Sequence, residues 1–409
     1  MEGWSCVGRV DAGCGVGFDV AGVRAQTAGV GERVHLNSAG AALMPDPVVE
    51  EMVAHLRLEA RVGGYEAAES AAARMEGFYS SVARLLGAHP QEVAFVESAT
   101  RAWELALGSV PLKAGDRILT TVSEYSSNGM GLVKAAGAVG ARVEVVADDG
   151  EGVVDVGALE QALEEGGVVL VAINHMPTHN GLVNPVERVG RACRAHGVLF
   201  LVDACQSVGQ VQVDVERVGC DFLTATGRKF LRGPRGTGLL YAREGAGVGE
   251  PAVVDVSSAE WVGPDAYRVR GDARRFESFE RSVAGQLGLA VAADYACALG
   301  MGAVAERVGW LGEVLRERLS VLEGVRVWDR GRVGERSGIV TFSVRGVGAE
   351  WVRAFLAREG VNVSVSRVHN QVWEYEGLPE QVVRASVHYY NTEEELAVLV
   401  DALARRVGA

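Results

Sequence analysis

The sequence predicts an α/β fold: a mostly parallel seven-stranded sheet covered by helices, followed by a smaller C-terminal α+β domain. Three observations carry this. Seven short apolar, β-branched runs recur between residues 92 and 241. Helical stretches separate most of them, and such alternation forms parallel sheets with helices on both faces. Beyond about Gly285 the pattern changes to one long helical stretch and a few further strands. The chain has 409 residues, long enough for two domains with substantial cores.

Taken in order, residues 1–33 are rich in Gly without clear periodicity and are expected to be a loosely ordered extension. Gly13-Cys14-Gly15-Val16-Gly17 only superficially suggests a dinucleotide fingerprint. Its third glycine is misplaced, and Phe18-Asp19-Val20-Ala21-Gly22 is a poor helix start. From Pro47 to Gly87 the pattern is helical, broken at Gly63-Gly64, with a second helix expected from about Ala67 to Leu86. Strands are expected at Glu92–Val96, Arg117–Val122, Arg142–Val146, Val168–Asn174, Leu199–Asp203, Phe222–Ala225 and Gly238–Tyr241. Between them lie helices near Ala102–Gly108, Gly129–Gly137, Val156–Glu165 and Val186–His196. A continuous helical stretch, Gln286–Leu322, leads into strands near Gly338–Val344, Val361–Ser366 and Val383–Tyr389, with helices near Ala349–Glu359 and Thr392–Arg406. The simplest partition is an extension (1–33), a large domain (34–290) and a small domain (291–409).

Composition narrows the function. The net charge of −13 argues against nucleic acid and anionic membrane as partners, since both favour a basic face. No apolar run is long enough to span a bilayer, and the N-terminus lacks a cationic leader. Six scattered cysteines without a CxxC pair suggest a reduced, cytoplasmic chain and no zinc site. Only three of the 40 basic residues are lysine: Lys113, Lys134 and Lys229. Chemistry that needs an amine must use one of them.

Ligands of open α/β sheets bind beyond the carboxyl ends of the strands. There the fifth run leaves Asp203-Ala204-Cys205-Gln206, and the sixth leaves Thr226-Gly227-Arg228-Lys229, so an aspartate and a lysine lie 26 residues apart at neighbouring strand ends. Pyridoxal phosphate requires this pair: the lysine for the covalent link, the carboxylate to keep the pyridine nitrogen protonated. An ordinary ion pair at the sheet end is the alternative. Lys113 falls in a surface turn and Lys134 in a helical run with no phosphate loop nearby, leaving Lys229. Arg228 beside it would favour the neutral amine or face a phosphate. Glu97-Ser98-Ala99-Thr100 opens a helix and offers a phosphate cradle, or merely a cap. Tyr125, after the second strand, offers a ring to stack, or a half-buried core tyrosine. His175 and His179 have i, i+4 spacing, but Pro177 between them argues against a helical metal pair and for a cofactor-side loop.

Together these residues resemble the class V aminotransferase-type, fold-type I pyridoxal-phosphate enzymes, a group that includes cysteine desulfurases, isopenicillin N epimerase-like proteins and ergothioneine-pathway C–S lyases. The resemblance runs from His35-Leu36-Asn37-Ser38-Ala39-Gly40 to Asn391-Thr392-Glu393. It is carried by Asn174-His175-Met176-Pro177-Thr178-His179-Asn180-Gly181, Asp203-Ala204-Cys205-Gln206, Thr226-Gly227-Arg228-Lys229 and Arg384-Ala385-Ser386-Val387-His388. It implies pyridoxal 5′-phosphate bound by Ala99, Thr100, Tyr125, Asp203, Gln206, Thr226, Arg228 and Lys229, with Gln206 at the phenolic oxygen and Thr100 and Thr226 at the phosphate. It also implies an amino-acid substrate met by Arg384, which would hold the α-carboxylate, and by Thr178, His179 and Ala39, and a homodimer. Arg384, Ser386 and His388 are expected to share one face of a strand.

Three departures bear on the reaction. Desulfurases with a C-terminal loop use a cysteine there, but Val361-Asn362-Val363-Ser364-Val365-Ser366-Arg367-Val368-His369-Asn370 has none. Tyr125 stands where the family places a stacking histidine. Glu277-Ser278 stands where some relatives present a threonine to the partner's phosphate, and its carboxylate is expected to repel that phosphate. The sharpest expectation is a C–S lyase acting by β-elimination on a cysteine S-conjugate or its sulfoxide; the alternatives are an aminotransferase, epimerase or decarboxylative deaminase of the same family. A non-catalytic regulatory protein of this fold and a nucleotide-dependent oxidoreductase using the N-terminal glycines are the competing classes.

Overall fold

The structure, a computed structural model, describes residues 18–367, 373 and 379–407. The seven expected strands form one sheet: β1 (Val93–Val96), β2 (Arg117–Thr121), β3 (Arg142–Val146), β4 (Val168–Asn174), β5 (Leu199–Asp203), β6 (Phe222–Thr226) and β7 (Gly238–Ala242). Their order is β1-β7-β6-β5-β4-β2-β3, with β7 antiparallel to both neighbours and the other pairs parallel. Both faces are covered. Along β4 and β5, Val171, Ile173, Phe200 and Val202 join one core, while Leu170, Ala172 and Leu201 join the other. Strands buried on two faces are apolar nearly to their ends, and that is the pattern of the β4 and β5 runs.

The smaller sheet holds β8 (Val325–Val327), β9 (Ile339–Val344), β10 (Ser364–Arg367) and β11 (Gln381–Ser386), antiparallel in the order β8-β9-β11-β10. Strand β11 is thus interior, so Arg384 is not an edge residue. The strand ends at Ser386; His388 lies beyond it and does not continue the Arg384 face. Val361–Asn362 leaves this sheet to pair with Val34–His35 near the N-terminus.

Other boundaries differ from expectation. The stretch 286–322 is two helices, Val283–Leu299 and Met301–Ser320, bent by 83° at Gly300. Residues 64–86 likewise divide into Gly64–Ser70 and Ala72–Leu86. A hairpin, Ala259–Gly263 with Ala266–Val269, had no expected counterpart. The described part of the expected loose extension is structured: Val20–Ala25 is helical, Phe18 packs on Tyr389, and Arg24 donates to Tyr390 O at 2.8 Å and pairs with Glu395 at 2.7 Å. The glycine motif 13–17 lies outside the described residues. No single described helix is long and apolar enough to cross a membrane.

Candidate active site

The parallel strands β2, β4, β5 and β6 end on one side of the large sheet, and the loops that follow them meet strands β10 and β11 there. Between them is a cavity of ≈ 330 Å³. Tyr125 follows β2, Thr178 follows β4, and Arg228 and Lys229 follow β6; Ala39 closes one side, while Arg367 and Arg384 come from the small sheet. A larger hollow of ≈ 410 Å³ lies beside the 259–269 hairpin. Its charges pair with each other, Arg268 with Glu260 at 3.0 Å and Arg270 with Asp272 at 2.8 Å, leaving no group poised for chemistry.

Lys229 is half-buried in the cavity wall, and desolvation there lowers its amine pKa; Cys205 and Asp203 oppose that shift, while Arg228 and Arg384 reinforce it. Its Nζ lies 6.0 Å from the Tyr125 ring centroid. Arg228 donates to Thr226 Oγ1 at 2.9 Å, which joins the two residues after β6. Arg384 donates to Thr178 O at 3.0 Å and to Thr178 Oγ1 at 2.5 Å, and burial draws its guanidinium down to about 10, still a cation. Asp203 sits behind the cavity; its Oδ1 accepts the Cys205 backbone N–H at 2.8 Å and its Oδ2 accepts Asn128 Nδ2 at 2.8 Å. His175 and His179 are both buried on the loop after β4, and burial depresses them to about 4 and about 3. They form no helix, and no cluster of possible metal ligands occurs among the described residues.

Ala39, Tyr125, Thr178, Arg228, Lys229 and Arg384 therefore line one space, with Asp203, Gln206, Thr226 and His179 packed behind it. Ala99 and Thr100 do not line the cavity. They open helix Ala99–Gly108, whose N-cap is Ser98, accepting the Arg101 N–H at 3.2 Å. Sequence reasoning missed Glu124 and Asn128, which adjoin Asp203; the signal was a Glu and an Asn four apart just after a strand. Glu277 differs from expectation. Its carboxylate points into the core, accepting from Tyr79 Oη at 2.9 Å and Phe95 N–H at 2.8 Å, so it is not presented to a phosphate.

Two orphaned buried atoms show that a polar group fits this space. Arg384 Nε and Gln206 Oε1 have no partner among the described residues, and buried polar atoms ordinarily find one. Gln206 differs in detail from expectation: its amide nitrogen is engaged by Ala39 O and Thr178 Oγ1, both at 3.2 Å, so the free atom is an acceptor. A half-buried lysine, a carboxylate behind it and a guanidinium opposite form a donor set that suits pyridoxal phosphate and an amino acid.

Known proteins agree. The family profile for class V aminotransferases matches residues 34–399. A probable cysteine desulfurase of Methanothermobacter thermautotrophicus is 29% identical, covering 92% of this chain and 95% of that protein. A probable hercynylcysteine sulfoxide lyase of Mycobacterium tuberculosis is 31% identical, covering 92% and 91%. Among solved structures, the apo cysteine desulfurase of Thermococcus onnurineus superposes with a TM-score of 0.88 at 28% identity, covering 95% of this chain and 98% of that one. The chain belongs to the class V aminotransferase family; it is an enzyme of the fold-type I architecture, and its cofactor is pyridoxal 5′-phosphate.

Proposed function

We propose that this class V enzyme is a C–S lyase that eliminates the sulfur group from Cβ of a cysteine S-conjugate or its sulfoxide. When bound, the cofactor supplies an electron sink for a carbanion at Cα. In this reading Arg384 binds the substrate α-carboxylate, and the Lys229 amine takes the Cα proton, a task its lowered pKa suits. The sulfur leaves with the Cβ–S electron pair. The three-carbon enamine that remains takes up water and becomes pyruvate and ammonia.

The observation that carries the reading is that no accessible thiol faces Lys229 among the described residues. The wall facing Lys229 from the small sheet is Val365, Ser366 and Arg367, and no cysteine lines the cavity among the described residues. Residues 298–409 contain no cysteine; positions 368–370 of the corresponding stretch lie outside the described residues. Cys205 is close by but buried, and burial beside Asp203 holds its thiol well above the usual range, which makes it a poor sulfur acceptor. The names of several relatives favour a second reading, cysteine desulfurase, which would need such an acceptor.

The test is incubation of the loaded enzyme with a panel of cysteine S-conjugates, their sulfoxides and plain amino acids, scoring pyruvate, keto acid and racemised product. Pyruvate from a conjugate supports elimination. No pyruvate from any conjugate, with keto acid formed alongside an amino acceptor, replaces it with transamination. We also read the chain as a homodimer: Trp261, Val262 and Tyr267 of the hairpin, with Phe279, leave apolar side chains exposed that a second copy would cover. Sedimentation at the mass of one chain would reject this.

A further inference from the structure

Behind Tyr125 the fold places a second carboxyl group against the first. Glu124 is only 2% exposed, and its Oε1 accepts the Tyr125 backbone N–H at 2.8 Å and Asn128 Nδ2 at 2.9 Å. The same Asn128 nitrogen donates to Asp203 Oδ2, 75 residues further along the chain, at 2.8 Å, so one carboxamide spans two buried carboxyl groups. Glu124 Oε2 has no hydrogen-bond partner among the described residues. The charged groups recorded around the cluster fall on the Asp203 side, where Lys229, Arg228 and the Cys205 thiol lie.

Two adjacent buried carboxyl groups cannot both ionise cheaply, and the one without a cation keeps the proton. Asp203 has Lys229 near it and, in the loaded enzyme, the ring nitrogen of the cofactor; Glu124 has neither. We propose that Glu124 is a positioning residue that acts as a neutral carboxylic acid: it fixes the Asn128 carboxamide, and through it aims the Asp203 carboxylate at the cofactor's ring nitrogen. Burial and then the neighbouring Asp203 push the Glu124 carboxyl up to about 8, in agreement with this arrangement. Asn128 can make both bonds because an amide nitrogen carries two hydrogens, one for each carboxyl group. A hydroxyl there could serve only one. The inference rests on Asp203 serving the ring nitrogen, and the test includes that premise.

The test uses apoenzyme reloaded with pyridoxal phosphate and reads two quantities that need no turnover: the cofactor Kd and the pH midpoint of its visible absorption band. Glu124→Gln keeps the shape and the neutral state, so Kd should stay within about twofold and the midpoint unmoved. Glu124→Ala and Asn128→Ala should each weaken binding by roughly tenfold, the loss of about one hydrogen bond, and shift the midpoint. The double variant should be no worse than either alone, since both act through one link. The proposal is overturned if Glu124→Gln is as damaging as Glu124→Ala, because an anion would then be required. It is also overturned if Asn128→Ala changes neither quantity. If Asp203→Asn leaves Kd and midpoint intact, the premise about Asp203 fails and the inference with it. Thermal melts of each variant separate these effects from a failure to fold.

Discussion

At the scale of single residues, the chemistry selects side chains that arginine cannot replace. This chain has 37 arginines and three lysines, so its surface shows how freely a guanidinium substitutes for an ammonium where only charge matters. Lys113 and Lys134 are exposed. Lys229 lines the cavity just after β6, and a guanidinium never loses its proton and cannot form the covalent link. Lys229→Arg is therefore expected to lower turnover by about a thousandfold or more and to abolish borohydride trapping of the cofactor, at unchanged net charge; Lys113→Arg and Lys134→Arg should match the parent enzyme. Substantial turnover in Lys229→Arg would reject the assignment. That Lys229 and Asp203 meet at the cavity was legible in the sequence, because strand ends are where ligands of open sheets bind. Glu124 and Asn128 were not. Their role arises from a hydrogen bond to a residue 75 positions away, and nothing in the local run Ser123-Glu124-Tyr125-Ser126 announces that partner.

At the scale of elements, strands were read more faithfully than helix breaks. Strands β4 and β5 begin and end where the apolar runs do, because a strand buried on both faces stays apolar until its end. Residues on both sides of Gly300 favour helix equally, so periodicity ran straight through a bend that a single glycine at φ +79° permits. The 259–269 hairpin escaped for the opposite reason. Its strands are largely exposed and lack a buried face to pattern them. Close approaches of backbone to backbone also leave no trace in periodicity. Gly209, in the turn after β5, has φ +86°, and a Cβ there would meet Phe230 C and O and Leu231 N, each at 2.4 Å. Those atoms directly follow Lys229. Gly209→Ala should thus cost about 1–3 kcal/mol of stability through overpacking and the left-handed backbone. It should also loosen cofactor binding by displacing the Lys229 turn. Melting temperature and visible absorbance of the loaded enzyme check both; an unchanged pair would show that the turn can relax.

At the scale of the whole molecule, the two-sheet architecture was legible, and the electrostatics of its interior were not. The fold buries histidines as neutral groups. Burial lowers His175 to about 4, His179 to about 3, and His388 well below its usual value, with the Arg232 guanidinium adding to the last. In the unfolded chain each would titrate near 6.5. The unfolded state therefore binds more protons as pH falls below about 6.5, and stability drops until the folded pKa is reached. From pH 7 to 5 the loss is at most about 2 kcal/mol per histidine. Glu124 works in the other direction: its folded pKa lies above the unfolded one, so between about pH 4.5 and 8 the native state holds a proton the unfolded chain has lost, stability falls as pH rises through that window, and it is regained as pH falls. It offsets roughly one histidine. Urea midpoints should accordingly fall between pH 7 and pH 5 in the parent protein, and fall more steeply in Glu124→Gln, which keeps the histidines and lacks the offsetting carboxyl. A Glu124→Gln curve no steeper than the parent's would mean that Glu124 is ionised in the folded protein throughout this range, and would contradict both the sign of its shift and the neutral acid inferred beside Asp203.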